Sequence, residues 1–393
     1  MKQYFTEFYL GTPYTYENSS NPYIMDTKKI AKDIILTEEG IPITAKYLWS
    51  LNKEKRIRCL EYVFNYLRKL GFPYMKISEE EIKKEVDKIK NGDFSRVLRE
   101  DNLISNNINV GLNICQIIAK EEYYRSKGEG SRPSLFEVFN NDEALIKVLK
   151  NRMGWNTSKE DGTIRPYMFQ MTHNQILNGI RNSGLGTPIS NFRPSIAKYF
   201  YDRYLGNLEN KRFLIFDYSC GWGARALASV GKYNYVGTDP LTANKINQWF
   251  QKYLPNENIK CLQQGSEILI PELENKVDMC FSCPPYFTLE KYSEEESQSY
   301  IKNANYIDWI NEYWKDTVNN CYSYTKERGY FILVIKDKYE NYNLRDDMCK
   351  IIDEIGFNFV DIFLIKNSKN HLSGKAKSKV TTKNNESVIV FQK

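Results

Sequence analysis

Three short β-rich runs of this chain end in residues whose types and spacing suit chemistry. Asp217 closes the apolar run 213–216, and Tyr218-Ser219-Cys220-Gly221-Trp222-Gly223 follow it. The two glycines let the backbone turn tightly and approach a ligand. A helix is expected over 224–230, its N-terminal amides facing the same crevice, where they can hold a carboxylate. The next run, 233–237, leads through Thr238 to Asp239, a carboxylate placed to accept from both ribose hydroxyls of a nucleoside cofactor. A dinucleotide site uses the same device, but its third glycine is missing, since position 226 is alanine. A further strand over 259–263 precedes Gly265-Ser266-Glu267, where an adenine edge can be read.

The run 277–281 ends in Phe281-Ser282-Cys283-Pro284-Pro285-Tyr286-Phe287. Two consecutive prolines lack an N–H and cannot continue a strand ladder. They force a rigid loop with exposed carbonyls and project Tyr286 into the crevice. In an open α/β sheet, ligands bind outside the carboxyl ends of the strands, where this loop is expected.

In these residues the chain resembles the class I S-adenosylmethionine-dependent methyltransferases. Asp217, Gly221 and Gly223 match their first motif, and Asp239 matches the acidic residue of their second. The resemblance implies S-adenosylmethionine as cofactor, with Asp217 near its methionine amino group, Asp239 on its ribose, and Ser219 and Ser266 among the residues that hold it. Cys283-Pro284-Pro285-Tyr286 resembles the Pro-Pro-Tyr/Phe motif of amino-methyltransferases that modify exocyclic nitrogens, chiefly adenine N6 and cytosine N4 in DNA. Those enzymes place Asn, Asp or Ser before the prolines; Cys283 stands there in this chain.

The chemistry behind that motif is plain. An exocyclic amine is a poor nucleophile because its lone pair is delocalised into the ring, and acceptors aimed at its N–H groups localise the pair. By the resemblance, the Pro284 carbonyl supplies one acceptor and residue 283 the other. Tyr286 stacks on a base flipped from its duplex, and catalysis is positioning plus electrostatics without a metal. Two roles are open for Cys283: a weak acceptor in place of serine, or a thiolate nucleophile that attacks a pyrimidine ring. Both prolines follow the cysteine and no Arg, Lys or His closely precedes it, which favours the acceptor. Upstream, Ser190-Asn191-Phe192-Arg193-Pro194-Ser195-Ile196-Ala197-Lys198 resembles the methionine-contacting segment of many DNA methyltransferases, which implies Phe192 and Pro194 at the cofactor. A helix packed under the sheet is the other reading of it.

The elements that must hold these residues alternate as βα units, separated by helical or loop segments, with strands also at 330–335, 358–365 and 387–392. The last two, joined by a loop rather than a helix, are expected to pair antiparallel. The fold expected is a doubly wound, mostly parallel Rossmann-like α/β sheet over 166–393. Residues 1–165 read as a mainly helical domain available for target recognition. Ile57, Leu60, Val63, Phe64, Leu67 and Leu70 recur at helical spacing over 53–70, and Gly71 with Pro73 ends them. Ser78-Glu79-Glu80-Glu81 is a capping box that opens a charged helix ending near Gly92. Loops are expected at 127–133 and 156–162.

Composition sets the remaining bounds. At 393 residues, 41% hydrophobic and 14% aromatic, the chain has material for two packed domains and does not read as disordered. No run is long enough to span a membrane and Met1-Lys2-Gln3-Tyr4-Phe5 is no signal peptide, so a soluble cytoplasmic protein is expected. Cys280 and Cys283 form a C-x-x-C spacing without a second pair, which reads as accidental, and the eight cysteines as reduced thiols. The net charge of +6 is mild, but six lysines between Lys366 and Lys383 stand without an acidic residue, as a phosphate-contacting arm would.

The function expected is transfer of a methyl group to an exocyclic nitrogen in DNA, as in restriction-modification, with RNA ranked behind DNA and any partner nuclease unspecified. Alternatives are an RNA or protein-amide methyltransferase, and a non-catalytic nucleic-acid-binding protein on a methyltransferase fold.

Overall fold

In the computed structural model, the residues described are 31, 33–128, 130, 132–154, 170–206, 212–366 and 386–393. The first residues of the chain, the loop expected at 156–162 and all of the lysine-rich stretch beyond Lys366 lie outside them.

The chain folds as two units, one comprising Met1–Lys76 with Ser131–Pro188 and the other Ile77–Gly130 with Ile189–Lys393. The division expected near residue 165 is therefore corrected: residues 77–130, expected with the helical domain, fold with the sheet. The reason is a strand that the sequence hides. β1 (Leu103–Ser105) pairs in parallel with β7 (Asn358–Lys366), from Leu103↔Leu364 to Ser105↔Lys366. Three residues are too few for an alternating pattern to show.

The first unit is mainly helical among its described residues, with short bridged segments around residues 34–44 and 170–172. α1 (Ala45–Ser50) is capped by Thr44, and α2 (Lys53–Leu70) is capped by Asn52 and stopped by Gly71 at φ +85°. The apolar stripe buries Leu60, Val63 and Leu67. α6 (Leu135–Asn140) opens on a second capping box, Ser134 with Glu137, and α7 (Asp142–Arg152) and α8 (His173–Asn182) complete the unit.

The second unit is an eight-stranded sheet in the order β1-β7-β8-β6-β5-β2-β3-β4. The remaining strands are β2 (Leu214–Asp217), β3 (Asn234–Thr238), β4 (Ile259–Leu262), β5 (Val277–Ser282), β6 (Thr325–Lys336) and β8 (Glu386–Gln392). All neighbours pair in parallel except β8, which runs antiparallel to both β6 and β7. The expected antiparallel closing pair is present, with β8 inserted between β6 and β7. β5 is buried at every position, as a central parallel strand covered on both faces must be.

Successive residues of a strand point to opposite faces, so β5 has two neighbourhoods. Phe281 meets Phe200 and Tyr201 of α9 (Pro194–Leu205), with ring centroids 5.8 and 5.7 Å away. Cys280 joins the opposite core with Phe216, Phe331 and Leu333, beneath Trp314, Cys321 and Tyr324 of the helical segment ending in α12 (Lys315–Tyr324), and Leu344 and Met348 of α13 (Leu344–Ile355). On the α9 side lie α10 (Ala224–Ser229) and α3 (Glu79–Asn91), the latter opened by the Ser78–Glu81 capping box; α11 (Ala243–Tyr253) packs on α4 (Leu112–Ile118), which is followed by α5 (Lys120–Arg125). The sheet is thus doubly wound, mostly parallel and Rossmann-like. Among the described residues no helix is long and apolar enough to cross a membrane.

Candidate functional site

From β2 the chain winds outward through β3 to β4, then crosses back to β5 and winds the other way through β6. Neighbouring strands β2 and β5 therefore flank the point where strand order reverses, and the crevice at their carboxyl ends is where an open sheet binds ligands. Their last residues are Asp217 and Ser282. The Ser282 hydroxyl donates to Asp217 Oδ1 at 2.7 Å, which joins the glycine-bearing loop to the Cys-Pro-Pro-Tyr loop.

Asp217 is wholly buried and every direction around its carboxylate is engaged. Oδ1 also accepts from the Ser219 N–H at 3.2 Å, while Oδ2 accepts from Arg225 Nε at 2.7 Å and from the Tyr235 hydroxyl at 2.5 Å. Arg225, itself 3% exposed, donates a second time to the Ser219 carbonyl, and its guanidinium lies 5.1 Å from the centroid of the Phe192 ring. Burial works to lower the Arg225 pKa, but Asp217 and Tyr235 together raise it above its ordinary value, so it is a permanent cation. The expectation that Asp217 faces a methionine amino group is corrected: a buried carboxylate with four donors has no edge left for a ligand. Ser219 is likewise engaged at both its amide and its carbonyl.

The turn itself is held by the second carboxylate. Asp239 Oδ2 accepts from the Gly221 N–H at 3.0 Å, and Oδ1 accepts from the N–H groups of Leu241 and Thr242 at 2.9 and 2.8 Å. Burial raises its pKa, opposed by those three backbone donors. Gly221 and Gly223 sit at φ +52° and +77°, the left-handed region that glycine enters without steric cost. A Cβ on Gly223 would meet Ile118 Cδ1 at 2.9 Å, whereas one on Gly221 would find only the Ser219 carbonyl oxygen, at 3.8 Å. Gly223 is thus fixed by packing, and the surface above Gly221 is open. α10 has six residues rather than the expected seven, and its second residue, Arg225, points back into the Asp217 network.

Other expected residues fall on both sides of this crevice. Phe192 packs edge-on against Phe281 at 5.9 Å, and Pro194 begins α9. Beside them, both amide atoms of Asn191 are buried without a hydrogen-bond partner. Lys198 turns away: its ammonium lies 5.1 Å over the Tyr233 ring, and burial lowers its pKa. Ser266 is corrected from an adenine reader to a packing contact, since its hydroxyl pairs with Thr317 Oγ1 at 2.8 Å and its carbonyl accepts from Asn320 at 3.0 Å.

On the reaction loop, Pro284 is buried and Pro285 half-buried. Tyr286 is only 8% exposed, and its hydroxyl lies 3.0 Å from Cys283 Sγ. Its ring belongs to the core on the α12 face, so the expected projection of Tyr286 into the crevice is corrected. Cys283 is half-buried. Burial pushes its thiol up to about 12, with Glu386 adding and Arg225 opposing, so the thiolate is not the resting form near neutral pH. Cys280 lies apart, 3.3 Å from Thr325 Oγ1.

Sequence reasoning missed Arg225, Ser282, Tyr235 and Thr242. A signal existed for the first: a lone arginine inside Ala224-Arg225-Ala226-Leu227-Ala228 is a charge among apolar neighbours, which a buried helix tolerates only when paired.

A nucleoside cofactor fits part of this donor and acceptor set. Asp239 keeps 9% of its surface where Asp217 keeps none, the turn at Gly221 has room above it, and Asn191 has an amide to satisfy.

No family model matches the chain, and no curated protein matches it. Solved structures similar to it include a 1,6-didemethyltoxoflavin N1-methyltransferase of Burkholderia thailandensis with bound S-adenosylhomocysteine, at 10% identity and TM-score 0.35 over 51% of this chain and 77% of that one. A SAM-dependent O-methyltransferase of Thermotoga maritima has 12% identity and TM-score 0.33 over 52% and 66% of the two chains. TrmN of Thermus thermophilus has 12% identity and TM-score 0.33 over 51% and 48%.

Replacing Arg225 with Met leaves the Asp217 charge buried without a counter-ion, and urea unfolding of this variant is expected to show a loss of about 3–5 kcal/mol. Adding Asp217→Asn should restore a large part of it. A double variant no more stable than Arg225→Met alone would show that the ion pair is not what holds the loop.

Proposed function

We propose that the chain is an S-adenosylmethionine-dependent methyltransferase acting on an exocyclic amino nitrogen of a base in DNA, adenine N6 or cytosine N4. The observation that carries this reading is the Ser282–Asp217 hydrogen bond, which holds the glycine turn and the Cys-Pro-Pro-Tyr loop side by side at the point where strand order reverses. The resemblance of both loops to amino-methyltransferase motifs names the chemistry, and the lysines from 366 to 383 favour a polyanionic substrate.

When bound, the cofactor supplies an electrophilic methyl group. Asp239 would accept from its ribose hydroxyls, the open backbone at Gly221 would let it approach, and the unpartnered Asn191 amide would meet its polar end. The Pro284 carbonyl and Cys283 Sγ take the amine N–H groups, which localises the nitrogen lone pair. The Tyr286 hydroxyl fixes the Cys283 side chain, and Arg225 fixes Asp217 and through it Ser282; both are positioning residues.

Incubation with tritiated S-adenosylmethionine and duplex DNA, RNA or protein, followed by nucleoside analysis, tests the reading. N6-methyladenine or N4-methylcytosine in the DNA is expected. Label in RNA or protein alone would overturn the DNA assignment, and no label anywhere would leave the chain a non-catalytic binder.

A thiol held neutral serves as an acceptor rather than a nucleophile. Cys283→Ser is therefore expected to keep or raise the transfer rate, and Cys283→Ala to lose part of it. An inactive Cys283→Ser protein, or a covalent complex trapped with a fluorinated cytosine, would make Cys283 the nucleophile of carbon methylation.

A further inference from the structure

Burial of Tyr286 leaves a base-methylating site without its expected stacking ring, and another tyrosine, Tyr292, packs against the glycine turn. Trp222 lies between Gly221 and Gly223 and is 9% exposed, with its ring edge-on to Tyr123 of α5 at 5.3 Å and to Tyr292 at 6.2 Å. These rings belong to three different segments: the glycine turn, α5, and the insert that follows the Cys-Pro-Pro-Tyr loop.

Tyr292 is half-buried and firmly held. Its hydroxyl donates to Glu290 Oε2 at 2.6 Å, and its carbonyl accepts from the Ser126 hydroxyl at 2.9 Å. One residue earlier, the Lys127 N–H donates to the Lys291 carbonyl at 2.8 Å, and the Lys291 N–H donates back at 2.9 Å. A side chain with two torsions on a backbone pinned this way loses little entropy when a ligand arrives. Burial raises the Tyr292 phenol well above its ordinary pKa, and Glu290 adds to this. The ring is therefore neutral, and its edge-on contact with Trp222 sets it beside the glycine turn.

Resting on the amine-methylation reading above, we propose that Tyr292, held by its pinned backbone, is the face on which the substrate's planar amine-bearing ring stacks, in place of Tyr286. The substrate class it fits is a neutral heteroaromatic base presented edge-first to Cys283 and face-on to Tyr292. Stacking of this kind tolerates different bases, because every base has a π face, so Tyr292 sets affinity while the acceptors around Cys283 set which atom reacts.

The test uses the full chain with S-adenosylhomocysteine bound and deoxyadenosine and deoxycytidine monophosphates as probes, followed by saturation-transfer NMR on the base protons. S-adenosylhomocysteine affinity is measured separately by calorimetry. Tyr292→Ala and the bulk-retaining Tyr292→Leu are expected to weaken nucleotide binding about tenfold or more with cofactor affinity unchanged, and Tyr292→Phe to keep both. Wild-type nucleotide binding in the Leu variant, or a loss of S-adenosylhomocysteine affinity in both, would overturn the proposal by making Tyr292 filler or a cofactor contact. A wild-type chain that binds no S-adenosylhomocysteine would remove the methyltransferase reading itself, and this inference with it.

Discussion

The site depends on a single buried charge. Asp217 ends β2 with no contact to water, and its cost of burial is offset by Arg225, Tyr235, Ser219 and Ser282. Each partner belongs to a different piece of the site: α10, β3, the glycine turn and β5. A buried ion pair whose remaining directions are all hydrogen-bonded tolerates few alternative geometries, because displacing any partner leaves a polar group unsatisfied at about 1–3 kcal/mol. The carboxylate is therefore a registration point rather than a ligand-binding group. Through Arg225 it reaches Phe192 ahead of α9, so the segment that precedes the sheet is fixed by the same centre.

The second carboxylate does complementary work. Asp239 gathers three backbone N–H groups and so shapes the turn at Gly221, while keeping a small exposed edge. The two acids at the ends of adjacent strands look alike in sequence and differ in role because Asp217 faces an arginine and a tyrosine hydroxyl, whereas Asp239 faces three backbone N–H groups and the Thr242 side chain. Cys283 sits beyond both, where burial and Glu386 keep its thiol protonated. The Cys-Pro-Pro-Tyr loop is thus uncharged at residue 283.

Much of the frame was legible because local rules and tertiary packing agree in it. The helix over 53–70 follows from its apolar spacing and the glycine after it, and Ser78 with Glu81 forms the capping box that its sequence spells. The sheet strands from β2 onward appear where apolar β-rich runs stand, and both glycines of the turn take the positive φ that their type suggests. What stayed hidden depended on distant partners. β1 is a strand only because β7 offers it an edge, and that pairing moved residues 77–130 into the sheet unit. The direction of Tyr286 is set by Cys283 and the core on the α12 face, and Ser266 is claimed by Thr317 and Asn320 of α12. Spacing along the chain carries none of this information.

A double-substitution cycle on S-adenosylhomocysteine binding, built from Ser282→Ala and Asp217→Asn, tests the central claim most directly. If Asp217 registers the two loops through Ser282, the cofactor affinities of the single and double variants are non-additive, with a coupling energy of about 0.5 kcal/mol or more. Strictly additive losses would show that the glycine turn and the Cys-Pro-Pro-Tyr loop are held independently, and would contradict the account.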